Sequence, residues 1–294
     1  MSRRLRLLIL GATGRLGRTL LARYEGRFDI LAPGRAELDM SQPASLAETL
    51  SALDFDVAIN VAGMTHPDAC EEDPGLAQRV NAESAGVVAK ECARRGARCL
   101  YVCTDYVFGG DGCVFLDEKA QVVPVSAYGR SKREGERAVM AADPQALVAR
   151  VSWLFGPAGG DVPETALKRA REGQPLGFIE DKWSVPTSTV HVAGWLERLF
   201  TDLCGVTGLL HLCNTGTATW RDYAQVSLDL AWKHGLLENP VMTHGLRLKD
   251  FPQFKARRPA FTAMSNARLA FLLGEAPPRW QDALDAHLET LARK

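Results

Sequence analysis

The passage that most constrains this chain runs from Leu5 to Gly17: an apolar LRLLIL, then Gly11, Gly14 and Gly17, then residues at helical spacing. A short apolar run closed by glycine reads as a strand buried on both faces. Glycine in the turn lets an anionic ligand approach the backbone at the start of the next helix. There the unpaired amides and the positive end of the helix dipole favour negative charge. The chain thus opens like the first strand–turn–helix unit of a dinucleotide-binding sheet.

The same alternation continues. Strands are predicted over 5–11, 28–34, 56–63, 98–104 and 146–156, and helices over 14–24, 45–53, 76–96 and 131–143, with Gly96 ending the third helix. Strands that alternate with helices, each strand a near-continuous apolar run, imply an α/β fold with a Rossmann-type, doubly wound parallel sheet. Beyond residue 155 the pattern loosens under Gly159, Gly160, Pro163, Gly173, Pro175, Gly177 and Pro186, with helices predicted over 191–203, 220–235 and 280–292. This half is expected to form a smaller C-terminal α/β cap that binds substrate. The predicted division is a cofactor-binding domain over 1–155, with 190–216 returning to it, and a mainly substrate-binding domain over 156–294.

Composition narrows the function classes. Lys plus Arg equals Asp plus Glu at 35 each, so no basic excess exists to neutralise a nucleic-acid backbone. The seven cysteines are odd in number and form no CxxC pair, which reads as reduced thiols of a cytoplasmic protein. The six histidines show neither HxH nor HxxxH spacing, so no metal site is expected. The opening MSRRLRLLIL has a basic start and an apolar stretch, but Gly11 and Arg15 cut it short, and it reads as a strand rather than a leader. No apolar run is long enough to span a membrane.

A second group of residues carries chemistry. Tyr128 and Lys132 are four apart, the spacing that puts two side chains on one helix face. A free phenol titrates near pH ~10, and a neighbouring ammonium is expected to lower that value, fitting Tyr128 to pass a proton to a carbonyl. Thr104 closes the fourth predicted strand, at the sheet edge where such folds bind ligands, and its hydroxyl is placed to hold the substrate oxygen. The second strand ends Ala32-Pro33-Gly34-Arg35, without the acid that usually holds a ribose hydroxyl. Arg35 suits a 2′-phosphate instead, so the cofactor expected is NADPH, with NADH left open.

The GxxGxxG spacing is that of the extended short-chain dehydrogenase/reductases. Together with AELDMSQPASL (36–46), DVAINVAGMT (56–65), VNAESAG (80–86), TDYVFGG (104–110), YGRSKREGE (128–136), RVSWLFG (150–156), VPTST (185–189) and RRPAFTAMSNARL (257–269), the chain resembles the dTDP-4-dehydrorhamnose reductase family over nearly its whole length. The resemblance implies NAD(P)H-dependent reduction of a 4-keto sugar nucleotide. It puts the catalytic set on Thr104, Tyr128 and Lys132. It puts cofactor contacts on Gly11, Thr13, Gly14, Arg15, Leu16 and Gly17, on Arg35 and Asp39, on Ala62, Gly63 and Thr65, and again on Tyr128 and Lys132. Trp153 would pack near sugar and nicotinamide, and Arg258 would reach the substrate diphosphate. Extended reductases are often dimers, so a homodimer is an expectation on the same ground.

The sequence departs from the family pattern at three places. Cys103 stands where a serine usually precedes the catalytic threonine. DKWSVPT (181–187) replaces DQ-x-G-x-PT, with Lys182 for Gln and Ser184 for Gly. Arg18-Thr19 stands where some relatives supply a magnesium-binding glutamate. Three other readings compete: a reductase of another 4-keto sugar nucleotide; a non-catalytic NADP-binding subunit similar to the regulatory subunit of methionine adenosyltransferase; and a dehydratase or epimerase. Tyr106 opposes the last, because it stands where the dehydratases resemble one another in carrying glutamate.

Overall fold

Six parallel strands form the centre of the molecule in the computed structural model, which describes residues 3–293. Met1 and Ser2 of the opening stretch, and Lys294 at the end of the second expected domain, lie outside the described residues. In chain order the elements are β1 (Arg6–Leu10), α1 (Arg15–Tyr24), β2 (Asp29–Leu31), α2 (Pro43–Ala52), β3 (Val57–Asn60), two short helices α3 (Pro67–Glu72) and α4 (Pro74–Gln78), then α5 (Ser84–Arg95), β4 (Arg98–Thr104), α6 (Ala127–Ala142) and β5 (Leu147–Val151). The sixth strand, Gly208–His211, pairs with β5, giving a sheet order of Gly208–His211, β5, β4, β3, β1, β2. The chain runs from β1 to β2 on one side and then to β3 on the other. The order therefore reverses beside β1, and a crevice opens there at the carboxyl ends of the strands.

Alternation along β1 shows why both faces are covered. Leu8 and Leu10 pack with Leu46 and Leu50 of α2 and Val88 of α5, whereas Leu7 and Ile9 pack with Leu16 and Leu20 of α1 and with Leu196 and Leu199 of the helix Thr189–Phe200. Tyr24 Oη ties α1 to that same helix by donating to the Ala193 carbonyl at 2.7 Å.

The differences from the sequence reading have local causes. The second strand stops at Leu31, ahead of Pro33, which has no amide to donate to the ladder with β1, its one neighbour. The helix expected over 76–96 is broken by a π-turn at Arg79–Glu83 before α5 resumes, and it ends at left-handed Gly96 as expected. Helix α6 begins at Ala127 rather than 131, because the Ser126 hydroxyl caps it by accepting from the Gly129 amide at 3.1 Å. The strand expected over 146–156 is split at Trp153, the one non-glycine with positive φ (35°) among the described residues. Its remainder, Leu154–Phe155, pairs with Thr187–Ser188. A helix at Val162–Arg171 was not anticipated: Pro163 reads as a breaker but lies in the first turn, where proline is tolerated, behind an Asp161 cap. Paired strands Gly177–Ile179 and His244–Leu246, and the helix Ala267–Leu273, are further elements of the second half beyond the predicted helices.

Candidate active site

The crevice is a cleft of about 750 Å³ lined by Gly11, Thr13, Gly14, Arg15, Leu16, Gly17, Arg35, Asp39, Ala62, Gly63, Thr65, Thr104, Tyr128, Lys132 and Trp153, among others. Every site residue named from the sequence except Arg258 borders it. Gly11 makes the turn at φ 84°, and a Cβ there would fall 2.6 Å from the Ala62 amide nitrogen. A Cβ on Gly17 would fall 2.2 Å from the Gly11 carbonyl, so this glycine seats α1 against the turn. Helix α1 starts at Gly14 with no side-chain cap and no acid in its first turn. Its leading amides and dipole are thereby left to face an anion, which fits a dinucleotide pyrophosphate.

The charged residues near this turn divide in role. The guanidinium of Arg15 donates to the carbonyls of Leu154 (2.9 Å), Gly159 (2.8 Å) and Gly160, so it ties the turn to the segment after β5. Arg35 stands at the rim, 79% exposed, with Nε 3.5 Å from Asp39 Oδ1. Asp39 also accepts from the Ser41 amide at 2.8 Å, and that bond, with Arg35 beyond it, holds its carboxyl below the ordinary value.

On the other wall, Asn60 Oδ1 accepts from the Ala62 amide at 3.1 Å. Asn81, carried on the π-turn, brackets Met64: Oδ1 accepts from its amide at 2.9 Å and Nδ2 donates to its carbonyl at 3.0 Å. The same Nδ2 donates to Ser131 Oγ (2.9 Å), which in turn donates to the Tyr128 carbonyl (2.9 Å). Asn81 thus joins the Ala62–Thr65 loop to the helix of Tyr128. The sequence reading did not single it out. Its signal was an asparagine in the middle of a helical pattern, where the side chain competes for backbone hydrogen bonds.

Lys132 is 3% exposed; Nζ donates to the Val102 carbonyl at 2.7 Å and lies 4.1 Å from the centre of the Tyr101 ring. Burial lowers its pKa to about 8. Thr104 Oγ1 accepts from the Tyr106 amide (3.2 Å) and donates to Asp105 Oδ1 (3.1 Å). Tyr128 corrects an expectation. Burial pushes its phenol above the ordinary value, and the opposing pull comes from the neighbouring Thr104 rather than from Lys132. The ammonium is engaged by Val102 and Tyr101 instead. A phenol held protonated at neutral pH is a proton donor in waiting.

Two of the three departures from the family pattern meet beneath this centre. Asp105, 2% exposed, accepts from Ser184 Oγ at 2.8 Å and Thr262 Oγ1 at 2.5 Å as well as from Thr104. Lys182 is fully buried; Nζ donates to the Pro259 carbonyl at 2.8 Å, lies 4.8 Å from the Tyr106 ring and 5.8 Å from Trp153, and burial lowers its pKa to about 8. The Cys103 thiol lies within hydrogen-bonding distance of the Lys132 carbonyl (3.7 Å), packed under α6, and burial pushes its pKa up.

Trp153 carries backbone strain at the cleft wall and stacks on Tyr223 (6.3 Å, 10°). Its Nε1 is buried with no hydrogen-bond partner among the described residues. Arg258 is the one site residue from the sequence that the structure sets apart from this cleft. It lies outside the cleft, its Nη2 2.7 Å from Asp68 Oδ2 and its guanidinium 4.5 Å from the Phe254 ring centre. Among the described residues no group of three or more His, Cys, Asp or Glu side chains is arranged to hold a metal ion, and no helix is long and apolar enough to cross a membrane.

The comparisons with known proteins agree with this fold. The dTDP-4-dehydrorhamnose reductase of Aggregatibacter actinomycetemcomitans is 31% identical over 285 residues, 95% of this chain and 97% of that one. A probable dTDP-4,6-dihydroxy-2-methyloxan-3-one 4-ketoreductase of Streptomyces antibioticus is 34% identical over 95% of this chain and 93% of its own. Among solved structures, the dTDP-4-dehydrorhamnose reductase of Bacillus anthracis in complex with NADP superposes with a TM-score of 0.88 at 26% identity, covering 97% of this chain and 99% of that one. The model of the RmlD substrate binding domain matches residues 5–293, and the chain belongs to that family of NAD(P)-dependent reductases.

Proposed function

We propose that this protein reduces the 4-keto group of a nucleotide-linked deoxysugar with NADPH in the cytoplasm, converting dTDP-4-dehydro-6-deoxy-L-mannose to dTDP-L-rhamnose. One observation carries the reading: the phenol of Tyr128, which burial keeps protonated, lines the same cleft as Thr104, Lys132 and the uncapped start of α1. When bound, a reduced nicotinamide supplies hydride to the carbonyl carbon. The chain's own part is the proton. Thr104 and Tyr128 hold the carbonyl oxygen, the Tyr128 hydroxyl gives it a proton, and the buried charge of Lys132 offsets the phenolate left behind. Gly11, Gly14 and Gly17 would seat the pyrophosphate, and Arg35 at the rim would take a 2′-phosphate.

The second half of the chain, apart from 190–216, whose helix and strand rejoin the sheet, would form the substrate side. A chamber of about 540 Å³ shares Arg15, Trp153 and Leu154 with the cleft and is walled by Phe178, Trp220, Tyr223 and Phe254. That aromatic surface suits the base and sugar of the nucleotide.

A reductase of another 4-keto sugar nucleotide is the second reading. It is favoured by Lys182 and Ser184, which change the floor beneath Tyr106 and Trp153, and by the similarity to the Streptomyces 4-ketoreductase. The test is to follow NADPH absorbance with dTDP-4-dehydro-6-deoxy-L-mannose and with other 4-keto sugar nucleotides. The expected result is oxidation with the first, falling by about 100-fold or more in Tyr128→Phe. Turnover of a different sugar alone would move the assignment to the second reading. Tight NADPH binding without any turnover would remove the enzymatic assignment.

A further inference from the structure

Helix α3 places two carboxylates on opposite tasks. Asp68 faces the C-terminal segment, accepting from the Ala256 amide (2.8 Å) and Arg258 (2.7 Å). Glu71 faces α6: Oε1 accepts from the Ala127 amide at 2.6 Å and Oε2 lies 3.7 Å from Arg130 Nη2. Ala127 is the first residue of α6 and the neighbour of Tyr128. The helix already has its ordinary cap in Ser126, which accepts from the third residue, Gly129. A second acceptor on the first amide therefore does more than start the helix. It fixes the peptide plane that enters Ala127, the residue just before Tyr128. Gly129 is seated as well, since a Cβ there would lie 2.2 Å from the Tyr106 carbonyl. Helix α3 itself follows directly on Thr65 and His66, so the clamp is anchored in the cofactor-side wall.

We propose that Glu71 is a positioning residue: its carboxylate, bound to the Ala127 amide, sets the direction in which the Tyr128 hydroxyl reaches into the cleft. A tilt of about 10° at the start of α6 would move that hydroxyl by about 1 Å, and misplacement of that size costs up to about 100-fold in rate. The acceptor matters more than the charge, because the bond is to a backbone amide. Glutamine at this position retains a carbonyl oxygen; alanine does not.

The kinetic arm of the test rests on the proposed reductase activity; a second arm does not. In Glu71→Ala, kcat is expected to fall about 10- to 100-fold while KM for NADPH and for the keto sugar nucleotide stays within about twofold, and the solvent deuterium isotope effect on kcat rises as proton transfer becomes slower. Glu71→Gln is expected to stay within about threefold of wild type on all three. Hydrogen exchange, measured without substrate, is expected to quicken in Glu71→Ala over residues 126–130 alone and to be unchanged in Glu71→Gln. An alanine variant with wild-type kcat and isotope effect overturns the proposal, as does quickened exchange through the whole core. Should the wild type reduce no keto sugar nucleotide, the functional assignment fails separately. Unchanged exchange over 126–130 would then still overturn the clamp, and its local loss would still support it.

Discussion

The cleft has a buried lysine on each side, and the two are built alike. Lys132, on the proposed cofactor side, donates to one carbonyl (Val102) and sits over one tyrosine ring (Tyr101); Lys182, on the proposed substrate side, donates to Pro259 and sits over Tyr106. Burial brings both to a pKa of about 8. They differ in what they face. Lys132 borders the cleft beside Tyr128, whereas Lys182 is sealed behind Tyr106 and Trp153. The same local physics yields an ammonium that can answer charge formed in the reaction and one that can act only on the walls. A perturbed lysine is therefore evidence of chemistry only when geometry puts it next to the reacting atoms.

The largest expected effect tests the first half of that comparison. Lys132→Met should lower kcat by about 100- to 1000-fold, because nothing then offsets the phenolate formed at Tyr128. In the wild type kcat should fall above about pH 8, roughly tenfold per unit, as Lys132 loses its proton. That alkaline limb should persist in Lys182→Met and vanish from the residual activity of Lys132→Met. If instead the limb follows Lys182, the two lysines have been given each other's roles. A smaller effect is expected at the cofactor rim, where Arg35 is exposed and only loosely paired with Asp39. Arg35→Ala should weaken NADPH by about tenfold and NADH by less than about twofold in equilibrium binding. Equal losses would mean that Arg35 does not read a 2′-phosphate.

The cofactor side was the more legible of the two in the sequence. Its glycines, its alternation of strand and helix, and the Tyr128–Lys132 spacing are all local patterns, and a local pattern survives without knowledge of the fold. Asn81 escaped because the π-turn that aims it inward lies inside what reads as one continuous helix. The Tyr128 shift was misread because spacing reveals a neighbouring amine but not the degree of burial. On the substrate side the decisive contacts join distant residues. Thr262 reaches Asp105 across 157 positions, and Asp68 takes Arg258 across 190. Lys182 and Ser184 were visible as departures, yet the Pro259 carbonyl and the Asp105 carboxylate that explain them were not.

Lys182→Met gives the smallest change and the sharpest test of the second half of the comparison. Below about pH 8 both the folded and the unfolded chain carry the Lys182 proton, so the fold bears the whole cost of burying an ammonium. Between about 8 and 10.5 the folded state has released that proton and the unfolded state keeps it, so this residue makes stability rise with pH across the window. Methionine removes the buried charge but leaves the Pro259 carbonyl without its donor, a loss that offsets part of the gain. The variant should be more stable by about 1–2 kcal/mol at pH 7 in denaturant unfolding, and the advantage should shrink and then reverse above about pH 10.5, where the neutral wild-type amine still donates to Pro259. Its kcat should stay within about threefold of wild type, with KM for the sugar nucleotide rising severalfold through slackened Tyr106 and Trp153 walls. Loss of kcat as large as that in Lys132→Met would show that a sealed ammonium reaches the reaction after all, and the distinction between the two lysines would fall.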